Sequence, residues 1–210
     1  VHAATSSADA TEQYTTALSN LDDAIKELNE SLSEFNKKIE STKIYLGEGS
    51  DAIYTPSSYN ALITEISNAE KLHKQISDLA IESSDTLKQI TTDYDNAVNA
   101  GMSEEEFFDI LSKLQTDAEN TLTKLAIDKS LKSISDSVNA IQTKTDSLVK
   151  QVDKSKLKAK IETAKSKKES GNYFENECNA LQTVIEESQK VCDDKDATSN
   201  EVKNAITALN

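Results

Sequence analysis

The feature of this sequence that most constrains its fold is a run of apolar residues at alternating spacings of four and three. The run comprises Tyr14, Leu18, Leu21, Ile25, Leu28, Leu32, Phe35 and Ile39. This spacing places the side chains on one stripe of an α-helix, whereas a half-buried strand would alternate every second residue. Mostly Asp, Glu, Asn, Ser and Lys lie between them, and these residues suit a solvated face. The sequence therefore predicts a long amphipathic helix that ends near Leu46.

The same periodicity predicts a second long helix. The Gly-rich segment 47–51 reads as a loop. Thr55 and Pro56 then suit a helix start, because Thr is an acceptable N-cap and Pro fits the first helical position. The apolar stripe continues beyond Ser83 and Ser84 without Gly or Pro, so we expect this helix to reach about Asn99.

A third long helix is predicted from Ser103 to about Val152. Ser103 and Glu106 have the spacing of a capping box, in which each side chain accepts a hydrogen bond from the other residue's backbone. The apolar stripe shifts phase near Ile127 and then resumes. Three such helices joined by short loops are expected to pack as an antiparallel up-down-up bundle.

Residues 153–210 have a shorter rhythm, with apolar stripes that predict three short helices separated near Gly171 and near Asp193–Asp196. Thr198 or Ser199 is expected to cap the last of them. The predicted fold is therefore all-α: an elongated antiparallel three-helix bundle over 1–152, followed end to end by a smaller three-helix bundle over 153–210. The junction at 153–155 reads either as a brief capped break or as a turn of continuous helix.

Charge argues against several classes of partner. The chain has a net charge of −14 and contains no Arg, and its Lys residues are interspersed with more numerous carboxylates. Nucleic acid and anionic membrane surfaces should be repelled, the Lys-rich stretch 154–168 being the one local exception. No apolar stretch approaches the roughly 20 residues that a membrane-spanning helix needs. We therefore expect neither nucleic-acid binding nor membrane insertion.

No constellation of residues predicts catalysis, a metal or a cofactor. The many carboxylates fall on solvated helix faces, whereas a general acid needs burial to raise its pKa. His73 beside Leu72 is a lone histidine of the kind usually found at a surface or boundary. The acidic turn 193–196 lacks the spacing, central Gly and terminal Glu of an EF-hand loop. The sequence thus predicts a protein that is not an enzyme and holds no cofactor.

The two cysteines are predicted to be unpaired. Cys178 and Cys192 are expected on one helix, where their separation of 14 residues corresponds to about 21 Å. A disulfide tolerates Cα separations of only about 4.4 to 6.8 Å. We expect Cys178 to be the more buried of the two.

One candidate contact surface stands out, at Tyr45, Ile53 and Tyr54, which flank the first loop. Two interpretations are open. The three side chains could form an aromatic contact for a sugar or a protein, or Tyr54 could simply pack over the helix corner. The second interpretation would extend to Tyr173, because residues 54–62 align with residues 173–181 as an internal repeat.

The C-terminal part contains a set of short motifs: Asp153-Lys154-Ser155, Ala164-Lys165, Tyr173, Ala180-Leu181, Asp196-Ala197-Thr198 and Glu201-Val202. Through these residues it resembles a known family, the FIVAR (found in various architectures region) module. Residues 37–72 match in part through Tyr54-Thr55-Pro56 and Tyr59, whereas 73–152 depart from the pattern. The resemblance implies tandem helical modules of secreted or wall-anchored proteins in Gram-positive bacteria, without shared catalytic residues.

Three non-enzymatic functions follow as expectations. The first is a spacer that links flanking domains of an exported bacterial surface protein or secreted enzyme. The second is an adhesion module that binds a host or matrix protein, which would need an apolar or aromatic patch on the solvated side. The third is an accessory carbohydrate-associated module, which would need clustered exposed aromatics, yet only 5% of the residues are aromatic.

Overall fold

The computed structural model describes residues 7–171 and 174–210. Its helices are α1 (Ser7–Lys43), α2 (Ser50–Ile53), α3 (Pro56–Asn99), α4 (Glu104–Leu125), α5 (Ile127–Asp146), α6 (Ser155–Glu169), α7 (Glu175–Asp193) and α8 (Ser199–Ala208), with a 3₁₀ turn at Ile44–Leu46. The one departure from helix and loop in these residues is an isolated antiparallel bridge between Tyr54 and Lys150. The predicted all-α fold is confirmed. Tyr173 lies outside the described residues, and so does the packing role expected for it.

The chain forms two compact units that are discontinuous in sequence. Unit 1 comprises Val1–Ile44, described from Ser7 onward, together with Glu65–Thr143. Unit 2 comprises Tyr45–Thr64 and Lys144–Asn210. The division differs from the boundary expected between residues 152 and 153, because residues 45–64 make their contacts with the C-terminal part of the chain.

In unit 1, side-chain contacts pair α1 with α3 in opposite chain order. The rings of Tyr14 and Tyr94 stack with centroids 4.8 Å apart. Further along α1, the Phe35 ring lies 6.0 Å from that of His73. This order of contacts makes α1 and α3 antiparallel, and it places His73 against an aromatic core residue.

The α1 stripe is the core of unit 1. Of the eight residues that predicted it, only Leu18 is partly exposed. The same helix packs along α4, and the buried positions of the two helices include Ala17, Ala24 and Ala118. Small side chains at a helix contact permit close approach of the axes. The second helix is also as predicted, because α3 continues through Ser83, which is fully buried.

The predicted third helix is two helices. It begins as expected, since Ser103 and Glu106 form both hydrogen bonds of a capping box. It is interrupted at Ala126, which adopts the left-handed conformation with φ 43° and ψ 53°. The Ser130 hydroxyl donates 3.1 Å to the Leu125 carbonyl just released by the break. The phase shift near Ile127 therefore marks the end of α4, which the sequence did not reveal because Ala favours helix. The next helix, α5, ends at Asp146 instead of about residue 152.

Unit 2 has a core of its own where α6, α7 and α8 meet. That core consists of Leu157, Ile161, Ala164, Ile185, Cys192, Ala197, Val202, Ala205 and Leu209. The predicted cap of α8 is present, because the Thr198 hydroxyl accepts from the Glu201 N–H and Glu201 accepts from the Thr198 N–H. Residues 153–210 thus contain the three short helices that the sequence predicts.

The cysteines are unpaired, as expected, but their order of burial was predicted wrongly. Cys192 is buried in the core of unit 2, whereas Cys178 is partly exposed. The physical reason is position along α7. Cys178 lies in its first turn, near Phe174, whose side chain is 79% exposed, while Cys192 lies in the last turn against Ala197 and its neighbours.

Candidate interaction surface

The three predicted contact residues all belong to unit 2. Tyr45 lies in the 3₁₀ turn and is partly buried, Ile53 ends α2 and is 50% exposed, and Tyr54 follows it and is partly buried. No ring contact joins Tyr45 to Tyr54 among the residues that the structure describes. The structure therefore brings Ile53 and Tyr54 into one local arrangement by sequence adjacency and does not build an aromatic cluster.

The segment 147–154, which we call the connector, joins α5 to α6 and is not helical. It runs antiparallel to residues 53–55. The Thr55 N–H donates to the Val149 carbonyl, and the Gln151 N–H donates to the Ile53 carbonyl, both at 2.8 Å. Of the two alternatives for the junction, a break is the one observed, and it is longer than the predicted Asp153–Ser155 segment.

Side-chain hydrogen bonds also hold the connector in place. The Gln151 amide Nε2 donates to the Tyr54 carbonyl at 2.9 Å and to the Asp51 carbonyl at 3.1 Å. On the other side of the bridge, the Val149 N–H donates to Ser58 Oγ at 3.1 Å. These contacts supply partners for backbone groups that neither a helix nor a sheet satisfies here.

The end of the connector caps α6. Asp153 accepts hydrogen bonds from the Ser155 N–H at 2.8 Å and from the Ser155 hydroxyl at 3.1 Å. These two bonds, the backbone one first, lower the pKa of the Asp153 carboxyl. The FIVAR-like Asp153-Lys154-Ser155 segment therefore performs a local capping role, which accounts for these residue types without invoking a ligand.

A third segment, the turn between α7 and α8, also reaches the start of α3. Asp196 Oδ1 accepts from the Ser57 N–H at 3.0 Å, and this bond is the largest cause of a lowered pKa at Asp196. Asp194 Oδ1 accepts from the Asp196 N–H at 2.9 Å. The Asp194 and Asp196 carboxylates of this acidic turn thus accept from backbone donors, and the Asp193 carboxylate accepts from the Gln189 side-chain amide.

The exposed apolar side chains near the bridge include one that was not predicted. Val149 is 54% exposed, and its backbone pairs with that of Thr55 next to Ile53 and Tyr54. The sequence predicts a buried helical stripe around Val149, because Leu148 and Val152 continue the apolar spacing. Ile53 and Val149 are therefore exposed apolar side chains on the two paired segments, and Tyr54 lies between their backbone hydrogen bonds.

The Lys-rich segment is mostly occupied by local contacts. Lys154 Nζ donates to the Cys192 and Asp194 carbonyls at the end of α7. Lys168 Nζ donates to Gln182 at 2.8 Å, and Lys165 pairs with Glu162 at 2.8 Å. Such contacts are those of a solvated helix face with cations near a helix C-terminus.

Residues capable of other chemistry are dispersed. No group of three or more His, Cys, Asp or Glu side chains is placed to hold a metal ion within residues 7–171 and 174–210. An apolar groove of unit 1, about 480 Å³, lies between α1 and α5 and is open to solvent. Across the described helices, none is long and apolar enough to cross a bilayer.

Comparison with known proteins does not place this chain. No family model matches it, and neither the curated proteins nor the solved structures include a significantly similar chain.

Proposed function

We propose that this chain is a non-catalytic helical spacer within a larger exported bacterial surface protein or secreted enzyme. The observation that carries the proposal is the fastening of the connector to residues 51–58 by backbone and side-chain hydrogen bonds. An eight-residue link without such contacts would act as a flexible tether, and a flexible tether fixes no distance between its ends.

The bonding of the connector is sufficient to keep it ordered. A hydrogen bond contributes about 1 kcal/mol net, and five of them act on the same short segment. They come from backbone and side-chain groups together, so that loss of one side chain leaves the bridge in place. A spacer needs this redundancy because it must hold its geometry without a bound partner.

The surface and the resemblance are consistent with the same role. Ion pairs such as Lys26–Asp22 and Lys74–Asp78 lie on the solvated faces at helical spacing, where exposed pairs contribute little to stability. The 44 residues of α3 give about 66 Å of continuous helix at 1.5 Å per residue. The FIVAR-like residues of 153–210 support export and a place among tandem modules.

Small-angle X-ray scattering tests the spacer proposal. A variant with Val149, Lys150 and Gln151 all replaced by Gly keeps the chain length but weakens the bridge. We expect its scattering to show a broader distribution of dimensions. Identical scattering from the two chains would contradict the spacer proposal.

A second candidate function is adhesion to a host or matrix protein, favoured by the exposed Ile53 and Val149 beside Tyr54. Surface plasmon resonance over immobilised collagen and fibronectin provides the test. If adhesion uses this surface, Ile53→Glu with Val149→Glu should abolish binding. Ile81→Glu is the matched control, because Ile81 is 58% exposed but lies in unit 1. Absence of binding to either protein would remove the support for this candidate.

A further inference from the structure

The start of α3 is capped by a residue from the far end of the chain. The first N–H groups of a helix have no partner within the helix, and a side chain at the N-cap usually accepts from one of them. Thr55 occupies that position, since its carbonyl accepts from the Tyr59 N–H at 3.0 Å. Its hydroxyl, however, lies 3.0 Å from Ser58 Oγ, and the Ser57 N–H donates to Asp196, 139 residues later.

The turn that carries Asp196 is held in place from several sides. The Asp194 carboxylate accepts from the Asp196 N–H, and Lys154 donates to the Asp194 carbonyl. Ala197 is buried in the core of unit 2, and the capping box at Thr198 fixes the chain immediately after it. The folded C-terminal helices therefore hold Asp196 in position.

We propose that Asp196 is a clasp that couples the folding of residues 153–210 to the first turn of α3. Its carboxylate fills the role of a missing local N-cap and adds a negative charge at the positive end of a long helix. The coupling is specific, because residues 56–64 contain no charged side chain that could substitute. Asp194 and Lys195 lie on the same turn, and Lys154 of the connector donates to the Asp194 carbonyl.

The clasp has a consequence for the autonomy of the C-terminal helices. Residues 153–210 resemble a self-contained module in sequence, yet one of their carboxylates, that of Asp196, binds a helix residue that lies 139 residues earlier. The compact unit accordingly includes residues 45–64. The inference goes beyond a spacer role, because it would hold for a chain with any function.

Hydrogen exchange of the full chain, resolved to single amides by NMR, tests the clasp. In Asp196→Ala the Ser57 amide should exchange about five- to tenfold faster, as expected for loss of a helix cap. Amides in the middle of α1 should keep their rates. Asp196→Asn retains an acceptor oxygen and should show a smaller increase at Ser57. The control Asp51→Ala removes an exposed carboxylate five residues before Pro56 and leaves the Ser57 hydrogen bond in place, so its Ser57 rate should not change.

Each outcome of this experiment either supports or overturns the clasp. An unchanged Ser57 rate in Asp196→Ala would overturn the clasp, as would an equal acceleration across α1, because that would signify general destabilisation. If the alanine variant does not fold, the asparagine variant decides the question at Ser57 in the same way. An increase confined to the first turn of α3 supports the coupling.

Discussion

Glu106, Asp153, Asp196 and Glu201 each accept hydrogen bonds from backbone N–H groups at a helix start. These bonds lower the pKa of every one of the four carboxyls, mainly through the serine or threonine partner that each contacts. Three of the four pairings are local and readable from the sequence as capping patterns. The fourth, Asp196 with Ser57, joins distant segments and gives no local signal.

The first prediction concerns pH. Because the folded pKa of these carboxyls lies below the unfolded value of about 4, their stabilisation is complete above pH 4 to 5 and is lost as the pH falls through the folded pKa. Thermal unfolding followed by circular dichroism from pH 7 to pH 3 should therefore show falling stability below about pH 4. In a variant with Glu106→Gln and Glu201→Gln the decline should be shallower. An equally steep decline would exclude the caps as its cause.

The second prediction concerns Tyr14. Its side chain is 4% exposed, and its hydroxyl has no hydrogen-bond partner in the described part of the chain. Burial is the main cause of a raised pKa at this phenol. Since an unsatisfied buried hydroxyl costs about 1 to 3 kcal/mol, Tyr14→Phe should leave stability unchanged or raise it. Urea denaturation measures the difference, with Tyr94→Phe as the control; a clear loss of stability in Tyr14→Phe would show that the hydroxyl is satisfied.

At the level of helices, periodicity predicted where long helices run and missed where one of them stops. The ends of α1 and α3 agree with the apolar stripes to within a few residues. The sequence did not predict the helix break at Ala126, because Ala is the best helix former. The phase shift of the apolar stripe after Ala126 was the only sign of the break. The sequence did not predict the non-helical connector, because Leu148 and Val152 keep helical spacing although the connector backbone pairs with residues 53–55.

The third prediction follows from the left-handed backbone of Ala126. An L-residue in this conformation costs about 1 to 2 kcal/mol relative to the right-handed one, and Gly is free of that cost. Part of the gain is offset by the greater freedom of Gly in the unfolded chain. Ala126→Gly should therefore raise the free energy of unfolding by up to about 1 kcal/mol. Ala118→Gly, inside α4, should lower it by about 1 kcal/mol or more; equal losses at both positions would contradict the helix break.

At the scale of the whole molecule, the sequence predicts two bundles, whereas contacts within the folded chain place residues 45–64 with the C-terminal helices. Apolar periodicity could not reveal this membership. That membership depends on main-chain hydrogen bonds at the bridge and on the Asp196–Ser57 hydrogen bond. No spacing of residues in the sequence predicts such bonds. The same limitation applies to the candidate surface, where Val149 became visible only through its exposure.

The fourth prediction tests that membership. A fragment of residues 153–210 keeps Asp196 but lacks Ser57, which Asp196 contacts, so it should unfold at a lower temperature than a mixture of the fragment with excess peptide 45–64. At 58 residues it is also near the lower limit for a stable isolated domain. Circular dichroism melting of the fragment with and without the peptide measures the effect. No shift at saturating peptide would show that 153–210 is self-sufficient.

The central claim is that the connector holds the start of α3 in a fixed position relative to the C-terminal helices of unit 2, and pulsed electron–electron double resonance measures that property directly. Nitroxide labels would be placed at Asn60 in α3 and Lys203 in α8, both exposed and both in unit 2, in a chain with Cys178→Ser and Cys192→Ser. The account predicts one narrow distance distribution, which broadens when residues 149–151 are replaced by Gly. A broad distribution in the chain with its natural connector, unchanged by the glycines, would contradict it.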